Sequence, residues 1–108
     1  MSFLCRDSIQ RMVSPSGLKP KSISLPNVDE LAYVARLTAG QVDRYQEEIK
    51  KSDKALVRGT ILTWALVDET NHRLFGEDGP ATLAQMPADT AEIIVDAFLE
   101  ANGLSRKN

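Results

Sequence analysis

The stretch "GTILTWALVDETNHRLF", residues 59–75, holds most of the information about how this chain folds. A nearly uncharged run ends abruptly at Asp68, gives way to the polar string "DETNHR", and turns apolar again at Leu74 and Phe75. From Ala55 to Val67 the only charge is Arg58. At about 100° per residue, Leu56, Val57, Ile61, Leu62, Trp64, Ala65, Leu66 and Val67 encircle a helix axis. A helix that is apolar all round has to be covered on most of its sides. The pattern therefore predicts a central, buried helix over 54–67. The polar string is then the point where that helix leaves the core. Asn71 suits a left-handed or turn conformation, and Asp68 and Asn71 can bond local backbone. Leu74 and Phe75 are expected to pack back onto the interior.

Upstream, "TAGQ" at 38–41 is a capping box, with the Thr38 hydroxyl and the Gln41 side chain placed to satisfy each other's backbone amides. The helix it starts carries Val42, Tyr45 and Ile49 on one stripe, is charged elsewhere, and ends near Lys51. Ser52 or Asp53 can cap the next helix. Further back, "KSISL" and "ELAYVARL" alternate apolar and polar side chains on either side of "PNVD", which predicts a β-hairpin over 21–25 and 31–37. A helix over 29–37 competes, because Leu31, Ala32 and Ala35 also share a helical face. Residues 6–13 can form a short helix capped by Asp7, and "SPSGLKP" at 14–20 reads as a linker.

Downstream, Pro80 is tolerated only in the first turn of a helix, so a short one starts near Gly79. Pro87 opens the last helix, 88–102, and Gly103 is a left-handed stop that lets Leu104 fold back on Phe98 or Leu99. In that helix Asp89, Glu92, Asp96 and Glu100 form a narrow acidic stripe. Ile93, Ile94, Val95, Ala97, Phe98, Leu99 and Ala101 take an arc of about 240°. Resting on one core needs little more than about 100°. The remainder meets another helix of the chain, a second subunit or a partner. On this basis Ile94, Val95, Phe98 and Leu99 are the candidate partner-binding residues. The expectation is that Phe98→Asp weakens association with helix content intact, whereas unfolding would mark these residues as core. The fold class expected is mainly α: a small domain of about four helices with one N-terminal hairpin. Residues 1–20 form a short helix and linker, 21–105 the domain, and 106–108 a tail.

The totals bound the function. The chain has 108 residues, 43% hydrophobic and 26% charged, with a formal net charge of −2. One domain follows from that length, and wholesale disorder does not fit that composition. No global basic field draws it to nucleic acid or an acidic membrane. No apolar run reaches the roughly 20 residues that span a bilayer, and the N-terminus does not read as a secretory signal. A single cysteine, Cys5, leaves no internal disulfide and no cysteine-built zinc site, which fits a reducing cytoplasm. His72 is the only histidine and has no second ligand at metal spacing. It reads as a turn histidine, Trp64 as core or an interface anchor, "KKSDK" as a solvated loop, and the acidic stripe as a wet face or a means of steering a basic partner. No phosphate-cradling loop or nucleophile elbow is present. No cofactor, metal site or catalytic residue is expected.

Taken in order, the blocks resemble a known family. "RDSIQRM" precedes "LPNVDELAYVARLTAGQVDRYQ", then "ALVRGTILTWALVDETNHRLF", a short acidic helix, and "LAQMPADTAEIIVDAFLEANGLS". This resembles the tail assembly chaperones of long-tailed bacteriophages and their prophages over nearly the whole chain. The sharpest pieces are "LVDE…RLF" (66–69 and 73–75) and "EANGLS" (100–105). The hairpin turn is "NVDE" where relatives tend to place glycines. The resemblance implies a non-enzymatic protein of the host bacterial cytoplasm. Such a protein coats the helical tape-measure protein, helps recruit the tail-tube protein through a longer form made by ribosomal frameshifting, associates weakly with itself, and is absent from the finished virion. The terminal "RKN", 106–108, can be encoded by a slippery heptamer. Two rival readings are a small cytoplasmic DNA-binding regulator, against which the lack of a basic recognition face counts, and a small hydrolase or metal enzyme using His72.

Overall fold

The computed structural model describes residues 6–7, 18–26 and 29–104. The helix expected over 6–13 lies outside these residues apart from Arg6 and Asp7, which are helical and exposed. Of the linker at 14–20, residues 14–17 also lie outside, as does the tail at 106–108. The fold is mainly α, with four helices and one three-stranded antiparallel sheet among the described residues.

The hairpin prevails over the competing helix. Strand β1 (Lys21–Ser24) pairs with β2 (Leu31–Val34), with Lys21 opposite Val34 and Ser24 opposite Leu31. Side chains of paired residues share a face. Val34 is fully buried, so Val34, Ala32 and Ile23 form the inner face. Leu31, Tyr33, Ser22 and Ser24 form the outer one. β2 is shorter than predicted, because residues 35–38 continue as irregular chain.

Helix α1 (Ala39–Lys51) begins with the expected reciprocal cap: the Gln41 amide donates to Thr38 Oγ1 at 3.2 Å, and the Thr38 amide donates to Gln41 Oε1 at 2.9 Å. Lys50 and Lys51 in its last turn complement the helix dipole. Asp53 Oδ1 then accepts the Ala55 amide and starts a 3₁₀ turn over Lys54–Leu56.

The central helix corrects the predicted span. Only Val57–Ala65 is α-helical (α2), and the next two residues, Leu66–Val67, form a third strand, β3. Tyr33 faces Val67, and Val34 faces Leu66. The Ala65 carbonyl, free at the helix end, accepts the Ala35 amide at 2.8 Å. A continuous apolar run cannot by itself separate a buried helix from a buried strand. Here the Leu66 amide still donates to the Leu62 carbonyl, and pairing with β2 takes the chain over from there.

Helix α3 (Gly79–Leu83) has Pro80 in its first turn, as predicted. It crosses α2 at two glycines. A Cβ on Gly59 would sit 1.9 Å from the Pro80 carbonyl oxygen, and one on Gly79 would sit 2.5 Å from Thr63 Oγ1. Both helix backbones therefore approach more closely than a side chain on either would permit.

Helix α4 (Ala88–Ala101) ends as its sequence promised. Gly103 takes φ 66°. Its amide donates to the Glu100 carbonyl, and the Leu104 amide to the Leu99 carbonyl at 2.7 Å, which is a Schellman closure. Apart from Ile93, which is 38% exposed, the broad apolar arc of α4 is covered from within the chain, contrary to the expectation of a contact surface. Ile94 and Phe98 are fully buried, Val95 is 1% exposed and Leu99 8%. The helix packs on α2 and on both β1 and β2, and the Tyr45 ring of α1 meets Phe98 edge-on at 5.4 Å. Cover on a helical side, a sheet side and an aromatic side accounts for the rest of the arc. These four residues are core.

Candidate functional site

The polar string is a closed turn. The Asp68 amide donates to the His72 carbonyl at 2.8 Å, and the Asn71 amide to the Asp68 carbonyl at 3.0 Å. Asp68 Oδ1 gathers the Thr70 amide, the Thr70 hydroxyl and the His72 amide at 2.8, 2.6 and 3.1 Å. These bonds, the Thr70 hydroxyl first, hold the Asp68 carboxyl below its ordinary range. Asn71 sits at φ 70°, a conformation asparagine tolerates. An isolated bridge from Val67 to Arg73 closes the far side.

His72 Nδ1 lies 2.7 Å from Thr70 Oγ1. The order Asp68–Thr70–His72 is not that of an activated nucleophile. There the hydroxyl gives its proton to the imidazole and the imidazole is oriented by the carboxylate. Here the hydroxyl donates to the carboxylate, so the imidazole meets its lone pair. Thr70 and His72 are both exposed. Among the described residues, no group of three or more His, Cys, Asp or Glu side chains is placed to hold a metal ion. None of the described helices is long and apolar enough to cross a membrane.

Two asparagines tie distant parts of the chain to residues 35–37. The Asn71 side chain accepts the Arg36 amide and donates to the Arg36 carbonyl, at 3.1 and 3.0 Å. Asn102, just past α4, accepts the Leu37 amide at 2.7 Å and donates to the Ala35 and Phe98 carbonyls at 2.8 and 2.9 Å. Both signature pieces of the resemblance are thus structural stitches. "LVDE…RLF" supplies β3, the turn and the Arg73 bridge, and "EANGLS" supplies Asn102, Gly103 and Leu104.

Trp64 is core. It is 4% exposed, donates from Nε1 to Glu48 Oε2 at 2.7 Å, meets Tyr45 edge-on, and carries the Arg73 guanidinium 3.8 Å above its ring. Burial raises the Tyr45 pKa above its ordinary value.

The two most exposed large apolar side chains are at the sheet; Ile93 of α4 follows, 38% exposed. Leu31 and Leu74 are each 56% exposed. Both line one open depression of about 310 Å³ with Tyr33 and Val67, and Asp68 and Glu69 bring two carboxylates to the same lining. Phe75 is half-buried against the core as expected, but Leu74 is not. The reason is local: the Leu74 amide bonds the Leu66 carbonyl at 3.2 Å, which keeps residue 74 alongside β3 instead of over the interior. The signal for Leu31 lies in its pairing with Ser24, an outward serine, and that becomes readable only once the register is known. Comparison with family models, with curated proteins and with solved structures returns no match.

Proposed function

We propose that this chain is a phage tail assembly chaperone that binds and coats the tape-measure protein during tail morphogenesis and helps bring tail-tube subunits to it. The partner comes from the resemblance of the ordered blocks over nearly the whole chain. One observation supports the binding half of the reading: Leu31 and Leu74 are exposed side by side in a single depression while Ile94, Val95, Phe98 and Leu99 of α4 are packed away. A long helical protein presents apolar stripes without a folded core of its own, and a small domain with an open apolar recess can cover them by side-chain docking. Many weak copies along one filament hold together through multivalency. The contact surface thereby moves from α4 to the outer sheet face.

The test is co-expression with the tape-measure protein of the same phage or prophage. The tape-measure protein is expected to stay in the supernatant and to co-purify with this chain, and the chain to be missing from purified virions. A tape-measure protein equally soluble without the chain, with no co-purification, would reject the reading.

A further inference from the structure

The depression on the outer sheet face has a chemistry of its own. Its walls are aliphatic and aromatic, and its charged members, Asp68 and Glu69, have one sign. Asp29 and Glu30, both exposed, immediately precede Leu31 in the chain. The nearby cations are engaged elsewhere. Arg73 lies over Trp64 and lines, with Arg36, a separate small recess. Lys21 pairs opposite the buried Val34 and so belongs to the other face of the sheet.

The backbone around the depression also limits the occupant. On the β3 side the Leu66 carbonyl is taken by Leu74, and Val67 is bridged to Arg73. The open edge of the sheet is β1, on the far side of β2 from β3. A strand cannot add alongside the depression, so an occupant must reach it through side chains, as a helix laid on the face does. A second copy is a poor occupant, because two facing depressions would oppose the same carboxylates.

We infer that this depression takes a basic amphipathic helical segment, with its apolar side chains between Leu31 and Leu74 and its lysines or arginines against Asp68 and Glu69. The inference rests on the chaperone reading for the partner's identity, a long helical protein, but the surface can be tested by itself. The probe is a synthetic helical peptide of about 18 residues, long enough to hold a helix, with a leucine stripe flanked by lysines. Its twin carries glutamates in place of the lysines. Binding to the full chain is read by fluorescence anisotropy at low and high salt. The basic peptide is expected to bind at least about ten-fold more tightly than its twin, and the gap to shrink with salt. Leu31→Asp and Leu74→Asp are each expected to weaken binding by about ten-fold or more with an unchanged circular dichroism spectrum. Glu69→Lys, at an exposed position, should narrow or reverse the preference between the peptides. Equal binding of the twins, insensitivity to all three variants, or a Leu31-dependent dimer of the chain alone in sedimentation would overturn the inference. If the peptides behave as expected but the tape-measure protein fails to co-purify, the surface stands and the chaperone reading falls.

Discussion

Asn102→Ala isolates what one amide contributes to this fold. Asn102 has φ −108° and ψ 9°, which alanine adopts freely, so no backbone strain enters the comparison. The substitution removes three hydrogen bonds. Phe98 keeps a partner, because its carbonyl also accepts the Asn102 amide at 3.2 Å. The Ala35 carbonyl belongs to a residue only 2% exposed. Left unpaired, it costs about 1–3 kcal/mol. The Leu37 amide is half-buried and adds up to about 1 kcal/mol. The expected loss is about 1–4 kcal/mol, a sizeable part of the roughly 5–15 kcal/mol that holds a domain together. In a domain of this size that lowers Tm by roughly 5–20 °C. Urea unfolding, followed by far-ultraviolet circular dichroism and by the fluorescence of the single tryptophan, measures it. Asn71→Gly is the internal control. It deletes two bonds to the neighbouring residue Arg36 while permitting the positive φ, but those bonds are exposed and water replaces them. Its loss should stay below about 1 kcal/mol. Equal losses for the two variants, or a loss under about 1 kcal/mol for Asn102→Ala, would refute the view that burial of the receiving backbone sets the cost.

Gly59→Ala should destabilise by about 1–3 kcal/mol in the same unfolding assay, because the new Cβ meets the Pro80 backbone; alanine's helix propensity, worth about 1 kcal/mol in its favour, is outweighed. Phe98→Asp puts a charge at a position with no exposure, and loss of helix content is the expected result, opposite to the outcome anticipated for a surface contact. The folded Asp68 carboxyl titrates below its unfolded counterpart, so its contribution is complete above the unfolded value, near pH 4, and disappears as pH falls through the folded one. Asp68→Asn should flatten the acid limb of a stability–pH profile and lower the neutral-to-alkaline limb without changing its slope. The Tyr45 hydroxyl has the opposite sense: its folded pKa is raised, so stability declines as pH rises above about 10, where the unfolded chain ionises first. Tyr45→Phe should remove that decline.

The features legible in the residues are those made by neighbours in the chain. The capping box at Thr38 and Gln41, the Pro80 start, the Gly103 stop with Leu104 folded back, and the Asp68–Asn71 turn each depend on groups a few positions apart, so composition and spacing determine them. The identity of the buried helix was also legible, because a run whose only charge is Arg58 has nowhere else to go. Other features depend on partners remote in sequence. Leu66 and Val67 become a strand only because β2, more than thirty residues earlier, offers its edge. Asn102 reaches back 67 positions to Ala35, and Asn71 reaches back 35 to Arg36. Ile94, Val95, Phe98 and Leu99 looked like surplus surface because a helix's apolar arc can be counted from its sequence while the elements that cover it cannot. Periodicity says how much of a helix avoids water, and only the packing of α2, the sheet and Tyr45 around α4 settles what it touches instead. That same packing turns Leu31 outward, and the bond to Leu66 holds Leu74 beside it.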